Sequence, residues 1–233
     1  MHVNRIHPDK HTCLPVKSLQ VICDGYFSVP ADVRAEADAH WNAITAKNPH
    51  IFDGPILHVN SFDPGSEVIH CQKASYRLIA ALEAGHDSGV RALGVSGIVR
   101  QGGNVLVARR GPHVLLYPGR WELAPSGVAE PDPQSDTVNL AALLLRELKE
   151  ETGLSAATTD IHPLMFAYDA VTRSYDACFE LRVDEPHKLT GNAEYRDLQW
   201  RKAEELAGEI DDFIPVSRMM LEYVLHGESG GCC

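Results

Sequence analysis

The segment Arg146-Glu147-Leu148-Lys149-Glu150-Glu151-Thr152-Gly153-Leu154 constrains this chain more than any other stretch of it. On a helix, which turns roughly 100° per residue, Arg146, Glu147, Glu150 and Glu151 share one face and Ala141, Leu144, Leu145 and Leu148 the opposite one. One face packs against a core and the other collects carboxylates. Glu147 and Glu151 stand four residues apart, a like-charge pairing that costs an isolated helix about 0.2–0.5 kcal/mol. They also lie toward the C-terminal end, where the helix dipole already disfavours negative charge. Arg146, four residues before Glu150, offsets only part of this. A divalent cation is the natural remainder, and a solvated acidic face on an amphipathic helix is the plain alternative. Gly153 suits the left-handed residue that stops a helix.

The run Arg146-Glu147-Leu148-x-Glu150-Glu151-x-Gly153-Leu154 resembles the second half of the Nudix box, the signature of hydrolases that cleave a nucleoside diphosphate linked to another group. Trp121-Glu122-Leu123-Ala124-Pro125-Ser126-Gly127 is similar to the usual approach to that box. The resemblance implies that Glu147, Glu150 and Glu151 ligate magnesium, with manganese as the alternative ion. It also implies that Arg146 orients the carboxylates and that Gly127 offers a backbone carbonyl to the same metal. The first half of the box departs from the pattern: Pro133 stands where a glutamate belongs, and the stretch from there to Arg146 is several residues too long. Glu130, Asp132 and Asp136 are the acidic residues of the lengthened loop, which Pro131 and Pro133 mark as a turn segment. The missing glutamate supports the metal ligands without ligating, so activity is expected to survive; a relative that binds nucleotide without hydrolysing it is the other outcome.

A second resemblance points to a subgroup. The segment from Trp41 to Pro55, followed by Ala74-Ser75-Tyr76-Arg77, looks like the N-terminal part of the animal Nudix enzymes that hydrolyse UDP-glucose and UDP-galactose, which also carry a stretched box. The expected reaction is cleavage of a nucleoside diphosphate sugar to a nucleoside monophosphate and a sugar 1-phosphate, with ADP-ribose or a dinucleotide as the alternative substrate. Tyr76 and Arg77 are candidates for the substrate pocket through stacking and a phosphate or base contact. Arg110, leaving a strand beside Arg109, is a candidate phosphate ligand. The general base comes from the box glutamates or from a later loop, where Glu194 is the candidate.

Composition sets outer bounds. A net charge of -11 argues against a nucleic-acid surface, so the expected partner is a small nucleoside diphosphate derivative, with a homodimer left open. No apolar run is long enough for a membrane span, and the polar start lacks the apolar core of a secretory signal; the expected location is cytoplasmic. The six cysteines show no zinc-like spacing, and the twelve histidines show no constellation, with Pro8 interrupting the helical spacing of His7 and His11.

The expected fold is α/β: a Nudix-type α/β/α sandwich with a mixed β-sheet, plus an N-terminal α+β extension. Residues 1–88 would form that extension, packed on the core as an integral layer, residues 89–226 the hydrolase domain, and residues 227–233 a tail. Within the front portion the pattern predicts a strand over Val16 to Cys23, a helix after Pro30 with Val33, Ala37, Trp41 and Ile44 on one side, a hairpin turning near Pro64-Gly65 and a short helix ending at Gly85. Beyond it, strands are predicted over Ala92 to Val99 and Val105 to Arg109, across the turn Gln101-Gly102-Gly103-Asn104. Further strands are predicted over Pro163 to Val171, Asp176 to Val183 and Leu198 to Trp200, and a closing helix over Phe213 to Leu225.

Overall fold

The computed structural model describes residues 10–48, 51–83, 85–157, 160–183 and 188–226. His7 and the segment after His226, with Cys232 and Cys233, lie outside them. In chain order the elements are β1 (Thr12–Pro15), β2 (Gln20–Tyr26), α1 (Ala31–Lys47), β3 (Pro55–Asp63), β4 (Val68–Ser75), α2 (Arg77–Glu83), β5 (Leu93–Gln101), β6 (Asn104–Arg110), β7 (Trp121–Leu123) and β8 (Ser126–Val128). They continue with α3 (Leu140–Thr152), β9 (Ile161–Asp169), β10 (Ser174–Arg182), β11 (Tyr195–Lys202), α4 (Ala203–Leu206) and α5 (Pro215–His226). No helix among the described residues is long and apolar enough to cross a membrane.

Among the described residues eight strands build the main sheet, in the order β1-β9-β10-β5-β6-β11, with β7 on β6 and β8 on β5. It is mixed, since β5 and β10 run parallel whereas β5 and β6 are antiparallel. β5 and β6 pair with each other only beside their turn, at Arg100↔Val105 and Gln101↔Asn104, and then splay apart. β8 and β7 occupy the opening, the first bonded to β5 and the second to β6. That split opens the sheet beneath the end of α3.

Alternating side chains give the sheet two apolar faces. Ile98, Val107 and Leu123 pack with Met165 and with Val216, Met219 and Met220 of α5. On the other face Leu93, Val95 and Phe166 pack with Leu144 and Leu148 of α3, and the same cluster takes in Val21, Leu57 and Ile69 of the three-stranded sheet β2-β4-β3. Backbone bonds join the two sheets, from Leu57 N–H to Ala129 O at 3.0 Å and from Val59 N–H to Arg91 O at 2.7 Å. α1 and α2 cover the outer side of the three-stranded sheet through Ala37, Ile56, Leu78 and Ile79.

α3 forms where its sequence asks for it. Asn139 caps the start, its side chain accepting from Ala142 N–H at 3.0 Å, and Leu140, Leu144 and Leu148 bury one stripe. Gly153 ends it at φ 75°, in the left-handed region. A side chain there would also meet Thr190 Oγ1, since a Cβ would lie 2.0 Å from it.

Two expectations about the front portion need correcting. The strand expected over Val16 to Cys23 begins later, as β2 (Gln20–Tyr26) of the second sheet, and a separate strand before it, β1, joins the main sheet against β9. The break has a cause distant in sequence. The Glu67 carboxylate accepts from the backbone N–H groups of Lys17 at 2.9 Å and Ser18 at 2.7 Å, which diverts them from any ladder. The stretch before residue 16, for which no element is predicted above, supplies β1.

Candidate active site

α3 delivers the acidic residues to the split in the sheet, but not on one solvated face. Glu151 lies seven residues after Leu144, two turns on, and so continues the buried stripe; it is only 2 % exposed. Glu147 sits at the margin of that stripe, and Glu150 is exposed. The placement of all three opposite the leucines is therefore corrected for Glu151.

Burying a carboxylate is costly unless donors meet it. Glu151 Oε2 accepts from Ser126 N–H and from Tyr195 Oη, both at 3.0 Å. Even so, burial pushes its carboxyl well up, and Glu122, Glu194 and Glu147 add to the rise against the Ser126 bond. Glu147 is also raised, first by burial and then by Glu150 and Glu194, with Arg146 opposing. Arg146 pairs with Glu147 at 3.1 Å and with Glu130 at 3.3 Å.

The lengthened loop is accounted for by the same contacts. Glu130 faces Arg146. Asp132 is an ordinary turn residue accepting from Gln134 N–H at 2.8 Å, and the Asp136 carbonyl accepts from Cys23 N–H at 2.7 Å. With the bridge between Thr137 and Ile22, the additional residues lie along β2 and bind the loop to the front layer.

Glu194 comes to the same place from the other side of the split. Glu194 is exposed as a residue, but partial burial of its carboxyl raises it, with Arg110 opposing and Glu122 and Glu150 adding to the rise. Gly111 N–H donates to its backbone carbonyl at 2.6 Å, fixing the loop against the end of β6. Gly127, in register with Val95, is where the chain must lack a side chain: a Cβ would lie 2.6 Å from Glu147 Cδ. The Glu147 side chain thus occupies the space that Gly127 leaves open.

Arg110 is brought to the site paired with a carboxylate. It is largely buried, and its Nη1 donates to both oxygens of Glu122, at 2.7 and 2.8 Å, while Nε donates to Leu116 O at 2.9 Å. Glu122 is fully buried and also accepts from Ser126 Oγ at 3.1 Å. Tyr76 and Arg77 are not brought to the acidic helix by any of their described contacts. The Tyr76 ring meets Trp41 edge-on at 6.2 Å, and Arg77 pairs with Asp53 at 2.6 Å and Asp38 at 2.8 Å. Those two carboxylates already satisfy its charge within the front layer.

Sequence reasoning attached no role to Glu122, Ser126 or Tyr195. The signal for Glu122 was present, a charged residue between Trp121 and Leu123 in a strand; Tyr195 carried none beyond adjacency to Glu194.

Around the end of α3 the described residues assemble Glu122, Glu147, Glu150, Glu151 and Glu194 against Arg110 and Arg146. That imbalance, together with the raised carboxyls and the space at Gly127, suits a divalent cation. Among the described residues no three carboxylates form a ready cage by themselves.

The family model described as the NUDIX domain matches residues 90–223. Comparison with curated proteins gave no significant match. Among solved structures, a MutT protein from Methanosarcina mazei Go1 is 20% identical over 60% of this chain and 96% of its own, with a TM-score of 0.49. The NUDIX domain of Shewanella oneidensis NrtR, complexed with ADP ribose, is 21% identical over 58% of this chain and 87% of its own, with a TM-score of 0.46. A C. elegans Ap4A hydrolase in a binary complex is 18% identical over 60% of this chain and 99% of its own, with a TM-score of 0.42.

Proposed function

This chain belongs to the Nudix family, and from that premise we propose that it is a magnesium-dependent hydrolase opening the pyrophosphate of a nucleoside diphosphate sugar of the UDP-glucose kind. The products are a nucleoside monophosphate and a sugar 1-phosphate. The observation that carries the reading is the convergence of Glu147, Glu150, Glu151 and Glu194 at the split of the sheet. The stretched box and the segment from Trp41 to Arg77 support the choice of a sugar nucleotide.

Glu147, Glu150, Glu151 and the Gly127 carbonyl would hold the cation, which when bound neutralises charge on the diphosphate and acidifies a water molecule. The protein's own groups do the rest. Arg146 keeps the Glu147 carboxylate in one orientation. Ser126 N–H and Tyr195 Oη hold Glu151 beneath it, and Arg110 neutralises Glu122 so that the buried wall of the site does not repel the substrate. Glu194 receives the proton of the attacking water. A raised carboxyl is better matched to that task near neutral pH than an ordinary one. Water adds to one phosphorus as the bridging P–O bond breaks.

The test is a panel of UDP-glucose, UDP-galactose, ADP-ribose and a dinucleoside polyphosphate, incubated with purified protein and magnesium, with products resolved by anion exchange and phosphorus NMR. UMP and a hexose 1-phosphate in equal amounts are expected. Preferred release of AMP and ribose 5-phosphate from ADP-ribose would replace the substrate. Tight binding without turnover of any compound, in magnesium or manganese, would replace the enzyme by a nucleotide-binding regulator.

A further inference from the structure

A cavity of about 870 Å³ lies on the α5 side of the main sheet, within the range of about 300–1,000 Å³ that small-molecule sites occupy. Met219 of α5 and Phe213 just before it supply apolar wall. Both belong to the cluster that packs on this face, whereas α3 packs on the other. Lys10 and His11, just before β1, and Tyr117 and Arg120 of the β6–β7 loop bring polar groups to the same cavity. None of these residues takes part in the proposed hydrolysis.

The charges around the cavity do not cancel. Its acids are Asp211 and Glu222. Arg218 takes up both, donating from Nη1 to Asp211 Oδ1 at 2.6 Å and from Nε to Glu222 Oε1 at 2.9 Å. Arg120 donates from Nη2 to the backbone carbonyls of Asp211 and Phe213, which fixes its guanidinium without neutralising it. Among the described residues neither Arg120 nor Lys10 has a carboxylate partner. His11 makes its described contacts through Nδ1, which accepts from Ala170 N–H at 3.2 Å and lies 3.3 Å from Asp169 Oδ1; Nε2 is left to the cavity. In a chain of net charge -11, two cations without an acid are a local reversal of sign.

The β6–β7 loop is held in the shape that sets Arg120 there. Tyr117 has φ 52°, in the left-handed region, which a bulky residue occupies only where its surroundings over-determine it. Its Oη donates to Asp169 Oδ2 at 2.6 Å, and its carbonyl accepts from Arg120 N–H at 3.2 Å.

We infer that this cavity is a second binding site, for a phosphate monoester with an organic body of nucleotide size. Such a group carries about two negative charges near pH 7 and three acceptor oxygens; Lys10 and Arg120 match the charge, and His11 Nε2 adds a donor. A carboxylate would leave one cation unmet. Inorganic phosphate alone would leave most of the volume, and the Phe213 and Met219 wall, uncovered. The site supplies its own positive charge and so needs no metal ion, unlike the acidic end of α3. It stands whether or not that end hydrolyses a sugar nucleotide.

The experiment is isothermal titration calorimetry of the full chain with UMP, AMP and glucose 1-phosphate in EDTA, with uridine, adenosine and glucose as the counterparts lacking phosphate. At least one phosphate monoester should bind, one molecule per chain, and its phosphate-free counterpart should not. Lys10→Glu and Arg120→Gln should each weaken that binding by about 10-fold or more, the loss expected for a bond between charged groups. Circular dichroism establishes folding, and if Arg120→Gln does not fold, Lys10→Glu, which has no described partner to lose, carries the comparison. No binding of any of the three compounds, binding that appears only with magnesium, or an affinity that neither variant alters overturns the inference. Turnover of sugar nucleotides in magnesium decides the hydrolase reading separately from all of these results.

Discussion

A methyl group at position 127 has nowhere to sit without moving Glu147. In Gly127→Ala the new Cβ would start 2.6 Å from Glu147 Cδ and 2.7 Å from Cγ, and retreat to the 3.4 Å of ordinary contact displaces the carboxyl by about 0.8 Å. The moving part is a flexible side chain, and Leu144 and Leu148 keep their places, so stability should change by less than about 1 kcal/mol. Turnover should not be spared. A misplacement of about 1 Å at a reacting centre costs about 100-fold, and Glu147 is the partner of Arg146 and, in the proposed function, a cation ligand. The assay pairs a thermal melt with kcat measured across a magnesium titration. An unchanged melt, a fall in kcat of about 100-fold and a higher magnesium requirement are expected. Full turnover at the wild-type magnesium requirement would show that Glu147 does not need its observed position and would refute the reasoning.

Other perturbations separate stability from chemistry. Glu151→Gln should lower kcat by orders of magnitude while melting no lower than wild type, because a neutral amide removes the repulsion from Glu122, Glu194 and Glu147; unfolding, or an unaltered rate, would contradict this. Asp176 holds its proton up to about pH 6 in the native state, against an ordinary value of 3.8. The native chain therefore binds more protons than the unfolded chain between about pH 4 and 6, and stability falls as pH rises through that window. Urea titrations of Asp176→Asn should show that slope removed and a gain of at most about 3 kcal/mol at pH 8; an unaltered slope contradicts the assignment. Leu148→Ala, which empties a fully buried site on α3, should cost about 2–5 kcal/mol in denaturant unfolding, and a change below about 1 kcal/mol would place the helix elsewhere.

The parts legible in the sequence are those set by neighbours close along the chain. α3 is marked by Leu140, Leu144 and Leu148 at helical spacing and by Gly153 as its stop. The β3–β4 hairpin shows in its alternation and in Pro64-Gly65, and α5 in its apolar period. What was missed was set from afar. Glu67 ends β1 by taking two N–H groups some fifty positions earlier in sequence. Arg110 turns inward because Glu122, on the adjoining strand, is buried against it. Tyr195 reaches Glu151 from a strand that no local pattern ties to α3. Glu151 is the instructive case, since its local chemistry suggested an exposed acidic face while a count of seven from Leu144 assigns it to the buried stripe. Tyr76 and Arg77 fit the residue types of the resembling enzymes, yet their described contacts lie within the front layer.

Crystals grown with manganese and a non-hydrolysable analogue of a nucleoside diphosphate sugar address the acidic end of α3 most directly. Anomalous peaks in contact with the carboxylates of Glu147 and Glu151 and with the diphosphate oxygens are predicted. Diphosphate bound in a protein shown to be active, with manganese absent from those carboxylates or lodged away from them, would contradict the assignment of that helix as the cation-holding element.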